Sequence, residues 1–170
     1  MRGANTAMLV SSGRAAYIAA MLADLLRRLR GDPDPTALAP EDCRLALAAL
    51  MVRLARTDGH YSGSERRRID RLLAQRYGLG AEAAAALRTE AEAAEAAAPD
   101  TVRFTRLIKE AVPYEERVGV IEALWRLALE DGIAADERGF LRLVANLVGV
   151  SDQDSGLARQ RVERGARGAG

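Results

Sequence analysis

Four acidic residues of this chain have the chemistry to hold a metal ion. Asp58 and Asp131 each precede a glycine, and Glu65 and Glu137 follow them seven and six residues later. Carboxylate oxygens are the ligands that Ca²⁺ and Mg²⁺ prefer in proteins. If the two turns meet, their four carboxylates make a site for such a cation, built from separate segments rather than from one EF-hand loop.

The same acidic residues also have a purely structural interpretation. An Asp before a Gly readily forms an Asx-turn, and Ser62 with Glu65 has the spacing of a helix capping box. In the second turn an alanine stands where the first has its capping serine, which predicts Asp136 as the cap. Glu137 is kept there without a box partner, which favours a further role for it. Both interpretations remain open from the sequence.

The two acidic turns belong to one sequence unit that occurs twice. A shift of 73 positions places Asp58 on Asp131 and the segment 53–55 on 126–128, where both read Arg-Leu-Ala. After the turn the second copy is one residue shorter. The flanks of both turns have apolar residues at helical spacing, so each Asp-Gly step joins two helices rather than two strands. We therefore predict a duplicated helical hairpin.

The composition predicts an all-α fold. The 170 residues are 49% hydrophobic, mostly Ala and Leu, with only two Phe, four Tyr and one Trp. An all-β protein would use more β-branched and aromatic residues. We predict a compact bundle of about eight helices with two pseudo-symmetric hairpin halves, with Trp125 in the core and Ser151 capping a short last helix.

The chain divides into three parts by pattern. Residues 1–40 are predicted to hold an amphipathic helix near 18–30 and a proline-rich linker, 41–165 the helical domain, and 166–170 a disordered tail. The amphipathic helix either docks on the core or contacts a membrane surface. We find neither a secretory signal nor an apolar run long enough to span a membrane, and expect a cytoplasmic protein.

Charge and reactive residues argue against nucleic-acid binding and catalysis. The formal net charge is +1, and the arginines at 66–71 are expected on a solvated helix face. The acidic helix at 82–95 offers an opposite charge for self-association or for a charged partner. Cys43 and the single His60 have no catalytic neighbours in the sequence, and no nucleotide-binding motif is present. We expect no organic cofactor and no enzymatic activity.

Three segments carry a resemblance to a known family. Residues 55–79, 100–132 and 140–151, and above all the series Arg117, Leu124-Trp125-Arg126 and Asp131-Gly132, resemble the TerB (tellurite-resistance B) family, in particular its bacterial TerB-like branch. The resemblance implies a compact helical fold with internal pseudo-symmetry. It also implies divalent metal at Asp58, Glu65, Asp131 and Glu137.

Together these observations lead to one main functional hypothesis and two alternatives. The main hypothesis is a non-catalytic helical module that binds Ca²⁺ or Mg²⁺ weakly and engages a protein partner in a tellurite or stress response. The first alternative is a metal-free interaction domain whose acidic residues serve as caps and turn formers. The second is a membrane-peripheral adaptor that uses the N-terminal amphipathic helix.

Overall fold

Helix α1 (Pro40–Ala55) forms the centre of the folded domain. The structure, a computed structural model, describes residues 40–98, 100–130 and 132–168. From Leu45 to Val52 every side chain of α1 is at most 2% exposed. A helix that is apolar on all sides has no solvent face to present, so it is covered by other helices.

Six further helices follow α1. They are α2 (Gly63–Tyr77), α3 (Ala81–Ala97), α4 (Val102–Ala111), α5 (Tyr114–Leu129), α6 (Ala135–Val148) and α7 (Asp152–Gly168). The described residues contain no strand, so the all-α prediction is confirmed. The predicted N-terminal helix near 18–30 and its linker lie outside the described residues.

The helices pack in an order that follows the two hairpins. The first hairpin is α1–α2 and the second is α5–α6. Helix α3 makes the most extensive contact with α1, and α7 makes the most extensive contact with α5, while α4 lies against both α1 and α6. Each hairpin is thus covered by the helix that follows it. The pseudo-symmetry of the two halves stays a prediction.

Glycines end the second helix of each hairpin. Gly78 and Gly149 have φ of +63° and +76°, the left-handed conformation that favours glycine. The next amide then reaches back into the last turn: Leu79 N donates to Ala74 O at 3.1 Å, and Val150 N donates to Ala145 O at 2.9 Å. These are Schellman-type ends, which place α3 and α7 directly after the hairpins.

The last helix begins as predicted but is longer than expected. Ser151 Oγ accepts a hydrogen bond from Asp154 N at 3.1 Å, so Ser151 is the predicted cap. The prediction of a short helix is wrong, because α7 has 17 residues and continues through Gly168. Its buried Ser155 and Ala158 dock it on the second hairpin, and the helix continues past the predicted domain end at 165.

Most of the predicted core positions are buried. Ile69, Leu72 and Leu73 of α2 face inward, as do Leu141 and Val144 of α6. Trp125 is 7% exposed, which confirms it as a core residue. The described residues belong to one compact unit. Within the described part of the chain, no helix combines the length and the apolar character needed to cross a bilayer.

The candidate site at the two acidic turns

The first acidic turn is stabilised by its own Asp. Gly59 takes a φ of +80°, which an L-residue rarely adopts, and so reverses the chain after α1. Across it, Asp58 Oδ1 accepts a hydrogen bond from His60 N at 2.8 Å. This is the contact of an Asx-turn. Both Asp58 and His60 are exposed.

Glu65 closes a complete capping box at the start of α2. Glu65 Oε2 accepts from Ser62 N at 2.5 Å, and Ser62 Oγ accepts from Glu65 N at 3.3 Å. Two backbone N–H groups that would otherwise lack a helical partner are therefore satisfied, as the spacing predicted.

The second acidic turn keeps half of this arrangement. Gly132 again has positive φ, +87°, and Glu137 accepts a hydrogen bond from Ala134 N at 2.8 Å. Ala134 occupies the cap position but has no side-chain oxygen to accept the reciprocal bond. The prediction of Asp136 as the cap is wrong, because the helix begins at Ala135, two residues earlier than that assignment requires. Glu137 reaches its N-cap amide without needing a serine.

The four predicted metal ligands are described only in part. Asp58, Glu65 and Glu137 each accept a backbone N–H, whereas Asp131 lies outside the described residues. Among the residues that the structure describes, no three His, Cys, Asp or Glu side chains are grouped as a metal site requires. The four-carboxylate site therefore stays a prediction.

A glutamate beside the second turn links the two hairpins. Glu130, at the end of α5, pairs with two arginines of α2: Arg68 Nε lies 3.0 Å from Glu130 Oε2, and Arg71 pairs with the other carboxylate oxygen. The side chain of Arg68 is only 12% exposed. The expectation of a solvated arginine face is therefore wrong for Arg68.

Behind the first turn, Tyr61 binds the acidic helix α3. Its hydroxyl donates to Glu92 Oε1 at 2.7 Å. The guanidinium carbons of Arg56 and Arg66 each lie 4.9 Å from the centre of the Tyr61 ring. Burial and the hydrogen bond to Glu92 raise the pKa of the Tyr61 hydroxyl, so it remains a protonated donor.

Arg88 extends this contact to α2. It donates to Asp70 Oδ1 and to Glu92 Oε1, both at 2.7 Å, and so joins α2 to α3. Partial burial acts to raise the pKa of Glu92, but the hydrogen bonds from Tyr61 and Arg88 outweigh it and hold that pKa below its ordinary value. Glu92 is therefore a stably ionised internal partner.

Arg53 fixes the other side of the first turn. Its guanidinium donates to Glu95 Oε1 at 3.0 Å, to Thr101 Oγ1 at 3.2 Å and to Ala98 O at 2.7 Å. Arg56 pairs with the second oxygen of Glu95. The side chains of Arg53 and Glu95 are 16% and 13% exposed. Arg53 thus satisfies the end of α3 and connects it to α4.

The sequence did not predict the ion pairs and hydrogen bonds that Glu92 and Glu95 make inside the domain. We interpreted the acidic residues of α3 as a surface for a partner, whereas Glu92 and Glu95 are used inside the domain. One signal was present: Arg53 interrupts the long apolar run of α1, and a charged residue in a core helix requires a buried partner. Which acid supplies that partner depends on how α3 packs.

Arg117 and Cys43 have structural explanations. Arg117 Nη1 donates to Val148 O at 2.7 Å and so caps the end of α6. Burial, with a smaller effect of Asp42, raises the pKa of the Cys43 thiol, which makes it a poor nucleophile at neutral pH. Cys43 lines a cavity of about 360 Å³ beside Tyr77, together with apolar residues from α4 and α5.

The fold and the turns define a class: a small helical domain whose paired Asp-Gly turns are closed by glutamates and held by arginine ion pairs. A protein-family model described as "Tellurite resistance protein TerB" matches residues 44–160. This match covers more than half of the chain, and the chain belongs to the TerB family. Searches of the curated proteins and of the solved structures gave no match.

Proposed function

We propose that the chain is a non-catalytic helical module of a tellurite-associated stress response that acts by binding a protein partner. Membership of the TerB family supports the context. The proposal that the acidic residues have a structural role is supported by one observation. Asp58, Glu65 and Glu137 accept backbone hydrogen bonds. Groups with these contacts stabilise turns and helix starts and need no metal for that purpose.

The charged side chains of the domain support the same proposal. Glu92, Glu95 and Glu130 are all neutralised by arginines. An active site usually holds titratable groups poised for proton transfer, whereas these carboxylates are committed to ion pairs.

Exposed apolar side chains are candidates for the partner-binding surface. Leu143 of α6 is 49% exposed and Leu157 of α7 is 41% exposed. Such residues gain most from being covered by another protein. We expect Leu143→Ser with Leu157→Ser to leave the melting temperature unchanged and to remove partners that the wild type captures from tellurite-challenged host cells. Capture that is equal for both proteins would reject this surface.

A second candidate function is weak divalent-cation binding at the acidic turns. It is favoured by the repeated glutamate at both turns and by the exposed carboxylate of Asp58, because a carboxylate can accept a backbone N–H and still bind a cation. The ion would be Ca²⁺ or Mg²⁺, since all the proposed ligands are oxygens.

Thermal melting with added Ca²⁺ or Mg²⁺ separates the two candidates. The metal-free proposal predicts no change in melting temperature beyond that caused by NaCl at equal ionic strength. Cation binding predicts a rise that the double variant Asp58→Asn with Asp131→Asn abolishes. A rise of this kind would overturn the metal-free proposal, whereas a rise that survives in the double variant would place the ion elsewhere.

A further inference from the structure

A basic cavity lies between α6 and α7, on the second hairpin, and its lining begins at Arg138, the residue after Glu137 of the second acidic turn. Its volume is about 260 Å³. Three arginines reach it from two helices. Its lining consists of Arg138, Arg142, Arg159, Trp125, Asp152, Ser155 and Gly156.

The cavity has an excess of positive charge. Arg159 pairs with Glu163 at 2.8 Å and lies 5.3 Å over the ring of Trp125. Arg138 and Arg142 are exposed, and neither makes an ion pair with a described residue. Asp152 is the one acid among the described residues of the lining. Like charges held close together repel one another, so an anion bound among them gains their combined attraction.

The equivalent position on the first hairpin carries a side chain of opposite charge. The buried residues show which positions of the two helices correspond. Ile69, Leu72 and Leu73 of α2 align with Leu141, Val144 and Ala145 of α6, 72 positions later. The same shift matches Asp70 with Arg142.

The covering helices also match. Arg88 and Glu92 of α3 form an ion pair four residues apart, as Arg159 and Glu163 of α7 do 71 positions later. In the first half Arg88 binds Asp70 at 2.7 Å. In the second half the residue in the place of Asp70 is Arg142, so the internal anion has been replaced by a second cation.

We propose that this cavity binds a small divalent oxyanion of the phosphate type. The anion would occupy the place that the Asp70 carboxylate fills on the first hairpin. Guanidinium groups bind such oxyanions through paired N–H donors, and Arg142 and Arg159 approach from different helices. The volume accommodates a phosphate group, and the indole of Trp125 gives the cavity an apolar wall against which a small organic group can lie.

The single Trp of the chain makes the proposal directly measurable. Titration of the full chain with sodium phosphate should change Trp125 fluorescence with a saturable curve, whereas NaCl at the same ionic strength should not. A parallel titration with glycerol phosphate distinguishes the source of the group: tighter binding of the ester indicates a phosphorylated small molecule, and tighter binding of inorganic phosphate indicates the free ion.

A charge reversal at Arg142 tests whether phosphate binds in this cavity. Arg142→Asp restores the residue of the first hairpin and supplies Arg159 with an internal anion, so the affinity for phosphate should fall at least tenfold while the fold is kept. Arg67→Asp makes the same charge change at an exposed position of α2 and should leave the affinity within twofold. If Arg142→Asp does not fold, Arg138→Gln removes one exposed cation of the cavity and should weaken binding severalfold.

Two results would overturn the proposal. One is a fluorescence change that NaCl reproduces at equal ionic strength. The other is a phosphate affinity that Arg142→Asp and Arg67→Asp reduce equally, because that would report general charge attraction rather than binding in the cavity.

Discussion

The turn after α1 and the turn after α5 share an Asp-Gly step and a glutamate, but they are anchored by different contacts. At the first turn, Tyr61 and Arg53 bind Glu92 and Glu95 of α3, the helix that covers the same hairpin. At the second turn, Glu130 binds arginines of α2, which belongs to the other hairpin.

This difference separates local features from long-range ones. Positive φ at the glycine and the glutamate contact to the cap amide occur at both turns, because they depend on residues a few positions apart. Among the described residues the anchoring ion pairs are not repeated, because each depends on the side chain that a distant helix presents. Two turns of similar sequence can therefore keep the same geometry while each acquires its own partners.

The largest difference in stability is expected between alanine variants of two arginines that align when one hairpin is laid on the other. Arg53→Ala should lower the free energy of unfolding by about 2 kcal/mol, because it leaves Glu95 with Arg56 alone and removes the donor to Ala98 O. Arg126 is 53% exposed, and among the described residues its ion-pair partner is Glu122 on its own helix, so Arg126→Ala should cost at most about 0.5 kcal/mol. Urea denaturation measures both, and equal losses would contradict the different anchoring of the two turns.

A smaller effect, and one that depends on pH, is expected at Glu92. Its pKa in the folded protein is below its ordinary value of 4.5, so its stabilising contribution is present above pH 4.5 and is lost as the pH falls through the folded value. Glu92→Gln should therefore destabilise by about 1.5 kcal/mol at neutral pH, from weakened hydrogen bonds to a charged group. The difference from the wild type should shrink below pH 4.5.

Glu163 provides the matched control for Glu92. It pairs with Arg159 on its own helix and is 31% exposed, so Glu163→Gln should cost at most about 0.5 kcal/mol at neutral pH. Denaturation curves at several pH values test both variants. A Glu92→Gln deficit that does not change on acidification would show that the carboxylate is not the stabilising species.

The smallest effects are expected at the caps, and here the two turns should respond in opposite directions. Ser62→Ala removes half of the capping box and should cost about 1 kcal/mol. Ala134→Ser supplies the missing oxygen at the second turn and should stabilise by about 0.5–1 kcal/mol. Thermal melting tests both, and a destabilised Ala134→Ser protein would mean that the second turn cannot adopt the box geometry.

Much of the fold followed from pattern alone, while the arrangement of charges did not. The helical periods, the cap at Ser62 with Glu65, and the glycine at Gly78 were readable because neighbouring residues determine them. The sequence interpretation failed at Arg68 and Glu92, which are paired inside the domain although charged helix positions are usually solvated. No local signal indicates which helix will supply a partner to such a residue.

The sequence by itself determined that this protein is helical, that a hairpin motif occurs twice, and that each turn reverses at a glycine and is closed by a glutamate. These properties follow from backbone sterics and from hydrogen bonds over a few residues. Only the tertiary structure decided that α1 is the covered centre, that Arg53 and Glu95 anchor the first turn, and that Arg142 meets Arg159 in one cavity. Those contacts join residues far apart in the chain, and helix packing alone brings them within reach of one another.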